Sequence, residues 1–260
     1  MNQPHVTRRG FVKQAAALAG PAVFAAGALP LPGADSAPGP AGKLKVVCVG
    51  GHPDDPESGC GGALVRYAQA GHTIAIVYLT RGERGIAGKS LEEAARIRTA
   101  ECEAACAILG ARALYAGQID GAAEFTRARV DELQKLLAAE APDVVFTHWP
   151  IDTHMDHQVA GLCALRACMT LPRRPRLYFF EVDSGSQTQG FLPDTYVDIS
   201  SVVEKKKAAL FAHVSQDGQG IWRQHHEEIA KWRGREAGVA AAEAFVHLNR
   251  DIQRSALPGV

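Results

Sequence analysis

Two short clusters of histidine and aspartate are the residues of this sequence best suited to chemistry. The first is the run HPDD at 52–55, and the second is the run DTHMDH at 152–157. Each cluster directly follows an apolar run of β-strand length. Imidazole and carboxylate groups are common ligands of hydrolytic zinc sites, which keep three protein ligands and leave a fourth position for water. Together the clusters predict a metal site with a carboxylate base beside it.

The spacing within the clusters indicates which residue does what. We expect His52, Asp55 and His157 to bind the metal, with Zn²⁺ as the expected ion and Fe²⁺ or another divalent ion as the alternative. Asp54 is then the free carboxylate and the candidate general base, because a bound metal makes water more acidic and a nearby base can take its proton. Taken singly, an aspartate at this position could be a helix cap, and a histidine could be a hydrogen-bonded structural residue. Three histidines and four aspartates in two strand-end loops favour the metal site.

Strand-like and helix-like segments alternate between residues 44 and 169. Apolar runs predict strands at 44–50, 73–80, 113–116 and 143–147, and helices are expected to end near 71 and to span about 90–109, 124–139 and 157–169. Strands that are apolar throughout, separated by helices, predict an α/β fold with a doubly wound, mostly parallel, Rossmann-like sheet sandwiched by helices. Ligands bind such sheets at the carboxyl ends of the strands. The first and fourth strands should be neighbours, which would bring the two clusters together.

Beyond residue 175 the pattern is weaker and indicates a C-terminal α/β extension. Strands are expected at 176–182 and 195–199, and helices at 202–213 and about 222–254. The lysines of the run KKK at 205–207 are expected on a solvated helix face. The Gly-, Ser- and Gln-containing run 181–191 is a candidate loop over the substrate.

The N-terminus has the pattern of an export signal. The run TRRGFVK at 7–13 precedes a mildly apolar stretch and a small-x-small site at 26–28. Paired arginines followed by an apolar stretch are typical of a removable twin-arginine signal peptide. We therefore predict a signal at 1–28, a flexible linker at 29–43 and one catalytic domain at 44–260. The expected location is periplasmic or extracellular.

Composition excludes some classes of partner. The 260 residues include 28 Lys+Arg and 28 Asp+Glu, so the formal net charge is zero. Because there is no basic stripe interleaved with aromatic residues, nucleic acid is not an expected partner. No apolar stretch of bilayer length follows the predicted signal, so we expect no stable membrane span after its removal. The six cysteines are expected to pack as small buried side chains, and a homo-oligomer is left open.

Four motifs together resemble those of the PIG-L/LmbE-like zinc-dependent N-deacetylase family. They are GGHPDDPESGCGG from 50, LTRGERG from 79, IRTAECEAACAILG from 97 and HWPIDTHMDH from 148. The resemblance covers about residues 44–215 and implies His52, Asp55 and His157 as zinc ligands and Asp54 as the base, in agreement with the assignment above. It further implies that His154 stabilises the oxyanion and protonates the leaving amine. Asp156, which is adjacent to both histidines, is expected to orient one of them.

The same resemblance implies two substrate-binding residues. Arg98 and Asp120 match family positions that bind hydroxyls of an N-acetylglucosamine-type sugar. The plainer alternatives are a helix-surface charge for Arg98 and a turn residue for Asp120.

The resulting hypothesis is a metal-dependent hydrolase that removes the acetyl group from the nitrogen of an N-acetylated amino sugar or glycoconjugate. One alternative is an amidase for a larger N-acyl group or a thiol conjugate. Another is a non-catalytic carbohydrate- or metal-binding protein with the same fold.

Overall fold

The computed structural model describes residues 42–248 of the 260-residue chain. The predicted signal at 1–28 and all of the predicted linker except residues 42 and 43 lie outside the described residues. Both therefore stay predictions.

A single mixed sheet carries the described part of the chain. Its strands are β1 (Lys45–Gly50), β2 (Thr73–Tyr78), β3 (Ala111–Tyr115), β4 (Val144–His148), β5 (Arg176–Phe180), β6 (Thr195–Asp198) and β7 (Ala242–His247). The order across the sheet is β3-β2-β1-β4-β5-β7-β6. Strands β1 to β5 pair in parallel, whereas β7 is antiparallel to both β5 and β6. The predicted doubly wound, mostly parallel fold is confirmed, as is the adjacency of β1 and β4.

Helices cover both faces of the sheet. They are α1 (Asp55–Gln69), α2 (Leu91–Leu109), α3 (Arg127–Glu140), α4 (Met155–Thr170), α5 (Val203–Phe211), α6 (Gly218–Ile221) and α7 (Glu227–Ala237). Alternate residues of a strand face opposite sides of a sheet. In β1, Val46 and Cys48 accordingly pack in one apolar core, and Val47 and Val49 pack in the other. This two-sided burial explains why the strand is apolar almost throughout.

The termini of α2 show how local sequence sets helix length. The Ser90 side chain accepts a hydrogen bond from the N–H of Glu93, and Gly110 ends the helix with a left-handed φ of 75°. Both are the residue types that these positions favour. The predicted helix over 90–109 is confirmed.

Two further expectations concern membranes and cysteines. Within residues 42–248, no helix has the length and apolar character needed to cross a bilayer. All six cysteines are buried and free. Their burial agrees with packing as small apolar side chains.

The helix predicted over about 222–254 is confirmed as far as Ala237 and is wrong for 242–247, while residues 249–254 lie outside the described residues. Helix α7 ends at Ala237, Gly238 adopts a left-handed φ of 73°, and β7 begins at Ala242. The run AAAEAF at 240–245 has high helix propensity, but propensity is a weak prior that tertiary contacts override. Here β7 pairs with β5 on one side and β6 on the other, and its Phe245 side chain is fully buried in the core.

The solvated position expected for the lysines is also wrong for Lys206. Its side chain is buried, and Nζ donates to Glu243 Oε1 at 2.6 Å and to the Ser58 carbonyl at 2.7 Å. Glu243 also accepts from the backbone N–H groups of Gly62 and Ala63. The ion pair thus ties β7 and α5 to α1, the helix that starts at the first cluster.

We predict that Glu243→Ala lowers the free energy of unfolding by about 3–5 kcal/mol, because it leaves the Lys206 ammonium buried without its carboxylate. Urea denaturation measures the change. Glu204→Ala, which removes an exposed carboxylate paired with Lys207 on the same helix, is the control and should hardly move the midpoint. Equal stability of the two variants would contradict a structural role for the buried pair.

Candidate active site

Parallel pairing of β1 with β4 brings the two clusters together. Val49 lies opposite Thr147, so the two strands end side by side. The first cluster follows β1 and leads into α1, while the second follows β4 and leads into α4. Both helices therefore begin at the carboxyl edge of the sheet, where open α/β sheets bind ligands.

Asp55 lies between the two histidines that were predicted with it as ligands. Its Oδ2 is 3.2 Å from His52 Nδ1, and its Oδ1 is 3.3 Å from His157 Nε2. Burial alone would raise the pKa of Asp55, but His157 and His148 hold it well below its usual range. The carboxylate is therefore ionised, the form in which it can bind a metal.

The far ring nitrogens of the same two histidines face other carboxylates. His52 Nε2 lies 3.1 Å from Asp156 Oδ2 and 3.3 Å from Asp120 Oδ1, and His157 Nδ1 lies 3.2 Å from Asp152 Oδ1. Burial lowers the pKa of His157, but Asp55 and Asp152 outweigh it and raise that pKa to about 9. The position of Asp156 matches the orienting role expected for it. Asp152 lies against His157 in the position that Asp156 has against His52. The sequence assigned no role to Asp152.

This arrangement fits a metal ion. Metal-binding histidines characteristically turn their second nitrogen to a carboxylate, which fixes the ring. Zinc bonds of about 2.0–2.1 Å place tetrahedral ligand atoms ~3.3–3.4 Å apart. Both Asp55–histidine distances are close to this value, and each starts from a different oxygen of Asp55. Among residues 42–248, three groups have ligand atoms that all lie within 4.8 Å of one another: His52/His154/His157, Asp55/His148/His157 and His52/Asp120/Asp156. Each group contains one or two of the predicted ligands His52, Asp55 and His157, and none contains all three.

His148 is a site residue that the sequence reasoning missed. It is the last residue of β4, and its Nε2 accepts a hydrogen bond from the Gly51 N–H at 3.0 Å and lies 3.3 Å from Asp55 Oδ2. Burial and the neighbouring His157 lower the pKa of His148 to about 4. The available signal was its place at a strand end, four residues before the second cluster.

The backbone conformation and the hydrogen bond of Asp54 distinguish it from the proposed metal ligands. It precedes α1 with a φ of 102°, rare for a residue other than glycine, and its side chain makes no capping hydrogen bond. Its Oδ2 instead accepts from Arg98 Nη2 at 2.9 Å. Burial raises the pKa of Asp54 despite the opposing charge of Arg98. The capping alternative therefore does not describe Asp54, and a raised pKa suits a general base.

Arg98 is held in place by the glycines of the second motif. It is buried and also donates to the Pro53 carbonyl. A Cβ added to Gly82 or Gly85 would lie 2.3 or 2.4 Å from the guanidinium. The two glycines thus leave space for the Arg98 side chain, which donates to Pro53 and Asp54 of the first cluster. The helix-surface alternative for Arg98 is excluded by its burial.

His154 has one ring nitrogen committed to the start of α4. The ring Nδ1 of His154 accepts from the backbone N–H of Asp156 at 3.2 Å. The backbone N–H of His154 donates to Asp152 Oδ1 at 2.8 Å. Because Nδ1 accepts, the neutral ring carries its hydrogen on Nε2. His154 can therefore donate a hydrogen bond from Nε2.

The clusters open into a cleft of about 640 Å³. Two groups of residues line its sides, and the order of the sheet places them on opposite sides of β1 and β4. The β2–β3 wall, together with α2, includes Arg84, Gly85, Arg98, Asp120 and Gly121. The β5 wall includes Val182, Asp183, Ser186 and Gln187 from the loop after β5, and His225 and His226 from the segment before α7. Gln216 and Ile221 also line the cleft.

The structure brings both predicted substrate-binding residues to this cleft. Asp120 lies on the β2–β3 wall, where it accepts from the Arg84 N–H at 3.0 Å and contacts His52. It is thus more than a turn residue. The predicted covering loop at 181–191 supplies four residues of the β5 wall.

Comparison with known proteins identifies the family. Residues 47–168 match the model of PIG-L, GlcNAc-PI de-N-acetylase. The chain is 30% identical to a probable N-acetyl-alpha-D-glucosaminyl L-malate deacetylase 2 of Bacillus anthracis, over 74% of this chain and 92% of that protein. It is 29% identical to diacetylchitobiose deacetylase of Thermococcus kodakarensis, over 77% of this chain and 82% of that protein.

Solved structures agree. The N,N'-diacetylchitobiose deacetylase of Pyrococcus horikoshii superposes with a TM-score of 0.70 and 26% identity, over 83% of this chain and 85% of that one. A different named activity also occurs: 4-oxalmesaconate hydratase of Pseudomonas putida is 27% identical over 77% of this chain and 85% of that protein. The chain belongs to the PIG-L family of deacetylases, which confirms the resemblance and makes it an enzyme of that class.

We predict that Asp152→Asn lowers metal affinity about 10- to 100-fold, because it removes the carboxylate behind His157. Competition with a chromophoric chelator measures the affinity. Asp131→Asn, an exposed aspartate paired with Arg127 on α3, is the matched control. An affinity equal to that of the control would mean that His157 is not a ligand or that Asp152 does not orient it.

Proposed function

We propose that this enzyme removes the acetyl group from the amide nitrogen of an N-acetylated amino sugar or glycoconjugate, with Zn²⁺ as the first candidate ion and Fe²⁺ as the alternative. One observation carries the proposal: His52 and His157 each lie between Asp55 and a further carboxylate, with Asp54 beside them but bonded elsewhere. His52, Asp55 and His157 would hold the ion.

The ion would supply Lewis-acid chemistry, polarising the amide carbonyl and making water more acidic. Asp54 takes the proton of the attacking water. Arg98 holds the Asp54 carboxylate in place through the 2.9 Å contact. As the water oxygen bonds to the carbonyl carbon, negative charge develops on the carbonyl oxygen, and the Nε2–H of His154 can donate to it.

The leaving nitrogen needs a proton when its bond to the carbonyl carbon breaks. His154 was expected to supply it, but a neutral ring with hydrogen on Nε2 is better suited to hydrogen bonding than to proton release. We therefore assign delivery of the proton to Asp54, which accepted one from the water. The products are acetate and the free amine, and Asp54 returns to its ionised state.

The relatives support the substrate class. Two of them are named for deacetylation of diacetylchitobiose and of an N-acetylglucosaminyl malate. The cleft volume lies in the range of pockets that hold drug-sized ligands. Arg98 and Asp120 on the β2–β3 wall are the proposed partners of sugar hydroxyls.

We predict that the purified enzyme releases acetate from N-acetylated amino sugars, and that Asp54→Asn lowers kcat about 10²- to 10⁴-fold with metal content unchanged. Removal of the metal by a chelator should abolish turnover, and added Zn²⁺ should restore it. Acetate is measured by a coupled assay, and Asp131→Asn is the control.

Several results would favour another function. A bound metal without turnover of any N-acyl sugar would favour a binding protein. Turnover of only longer acyl groups or thiol conjugates would favour the broader amidase. Addition of water to an unsaturated dicarboxylate, without amide hydrolysis, would place the chain with the hydratase.

Export by the twin-arginine route is part of the proposal and rests on the N-terminal sequence alone. We predict that replacing Arg8 and Arg9 with lysine leaves the protein inside the cell, because the paired arginines are the feature of this signal that the export machinery reads. Fractionation of the expressing cells with an antibody measures the distribution. Replacing Lys13 with Arg is the control, and export of the double variant at the normal level would contradict the prediction.

A further inference from the structure

The β5 wall of the cleft contains a histidine–aspartate pair that takes no part in the proposed hydrolysis. His225 Nδ1 lies 2.9 Å from Asp183 Oδ1, and both residues line the cleft. This distance places the ring and the carboxylate in an ion-pair contact. The contact uses Nδ1 only, and among residues 42–248 the hydrogen bonds and ion pairs include no partner for the other ring nitrogen, Nε2.

Asp183 is held in an uncommon backbone conformation. Its φ is 44°, a left-handed value that aspartate adopts more readily than most residues. Its carbonyl accepts from the N–H groups of Ser186 and Gln187, and the Gln187 carbonyl accepts from the N–H of Thr153 in the second cluster. The turn that carries Asp183 is therefore tied directly to the candidate active site.

His225 is placed by a second local distortion. Residues Trp222–His226 form a π-helical turn between α6 and α7, closed by a hydrogen bond from the Glu227 N–H to the Trp222 carbonyl. Such turns are uncommon and often occur at functional sites. Two irregular segments that are distant in sequence thus meet in the His225–Asp183 contact at the cleft. Irregular backbone of this kind is frequent at functional sites.

The position of the His225–Asp183 pair relative to the sheet indicates which part of a substrate it contacts. Arg98 and Asp120, the proposed sugar partners, lie on the β2–β3 wall, whereas His225 contacts Asp183 in the loop after β5. In the order of the sheet, β1 and β4 lie between β2 and β5. Most of the β5 wall is polar, with a carboxylate, a hydroxyl, an amide and two imidazoles. A wall of this kind suits hydroxyl groups better than an apolar acyl chain.

We propose that His225, oriented by Asp183, binds a hydroxyl of a second hydroxyl-bearing unit attached to the amino sugar. His225 is then a specificity-determining residue that selects a disaccharide or glycoconjugate over a lone N-acetylated monosaccharide. Asp183 is a positioning residue. This inference rests on the proposed deacetylase function.

The test compares an N-acetylated disaccharide with the corresponding monosaccharide. His225→Ala removes one neutral hydrogen bond, so KM for the disaccharide should rise about 3- to 10-fold with kcat within about twofold. Kinetics with the monosaccharide should not change. Gln224→Ala is the matched control, because Gln224 is exposed on the same π-helical turn and is not among the residues found to line the cleft.

Variants of Asp183 test the positioning role. Asp183→Ala should reproduce the effect of His225→Ala, whereas Asp183→Asn should retain most of the disaccharide affinity, because asparagine tolerates positive φ and offers an acceptor oxygen. Thermal unfolding followed by circular dichroism checks the fold of each variant. If Asp183→Ala does not fold, His225→Ala still decides the proposal.

Three results would overturn the inference. They are an unchanged KM for the disaccharide in His225→Ala, an equal loss with both substrates, and an equal effect of Gln224→Ala. If the wild-type enzyme hydrolyses neither sugar, the proposed function fails separately. Calorimetric binding of the disaccharide to the wild type and to His225→Ala then decides the inference, and equal Kd values would overturn it.

Discussion

The parallel pairing of β1 with β4 is the constraint on which the site depends. Residues about 100 positions apart in sequence become neighbours because Val49 lies opposite Thr147. A parallel pair requires a long crossover, and here β2, α2, β3 and α3 lie between the two strands in the chain. The same crossover also supplies Arg98, on α2, and Asp120, in the loop between β3 and α3. The connection that the topology requires therefore provides one wall of the cleft.

Burial of so many ionisable groups has to be matched by partners. A buried charge without a partner is costly, and at this site each named carboxylate meets a histidine, an arginine or backbone N–H groups. The result is a cluster whose side chains are fixed before any ligand enters. Preorganised groups of this kind need little rearrangement during reaction. Distant pairs such as Lys206–Glu243 fix the helix on which part of the cluster stands.

The sequence predicted the parts of this structure that local patterns encode. Apolar runs predicted β1 to β4, and the weaker pattern beyond residue 175 predicted β5 and β6. The strand-end clusters predicted the residues that gather at the sheet edge. Contacts between distant segments were not predictable in this way. The roles of His148 and Asp152, and the pair Asp183–His225, could be assigned only when the folded chain showed their partners. The alanine-rich run in β7 has helix propensity, and only its position between two strands makes it extended.

The π-helical turn at Trp222–His226 has a consequence for how relatives can diverge. A π-helical turn contains one residue more than the α-helical turn it replaces, so deleting a single residue can restore the regular helix. The side chains that precede the deletion would then rotate by about 100° relative to those that follow it. A neighbouring side chain would enter the cleft in place of His225, while α7 kept its contacts with the sheet. If His225 selects the substrate as proposed, a one-residue change in chain length would alter substrate preference without any replacement in the two histidine–aspartate clusters.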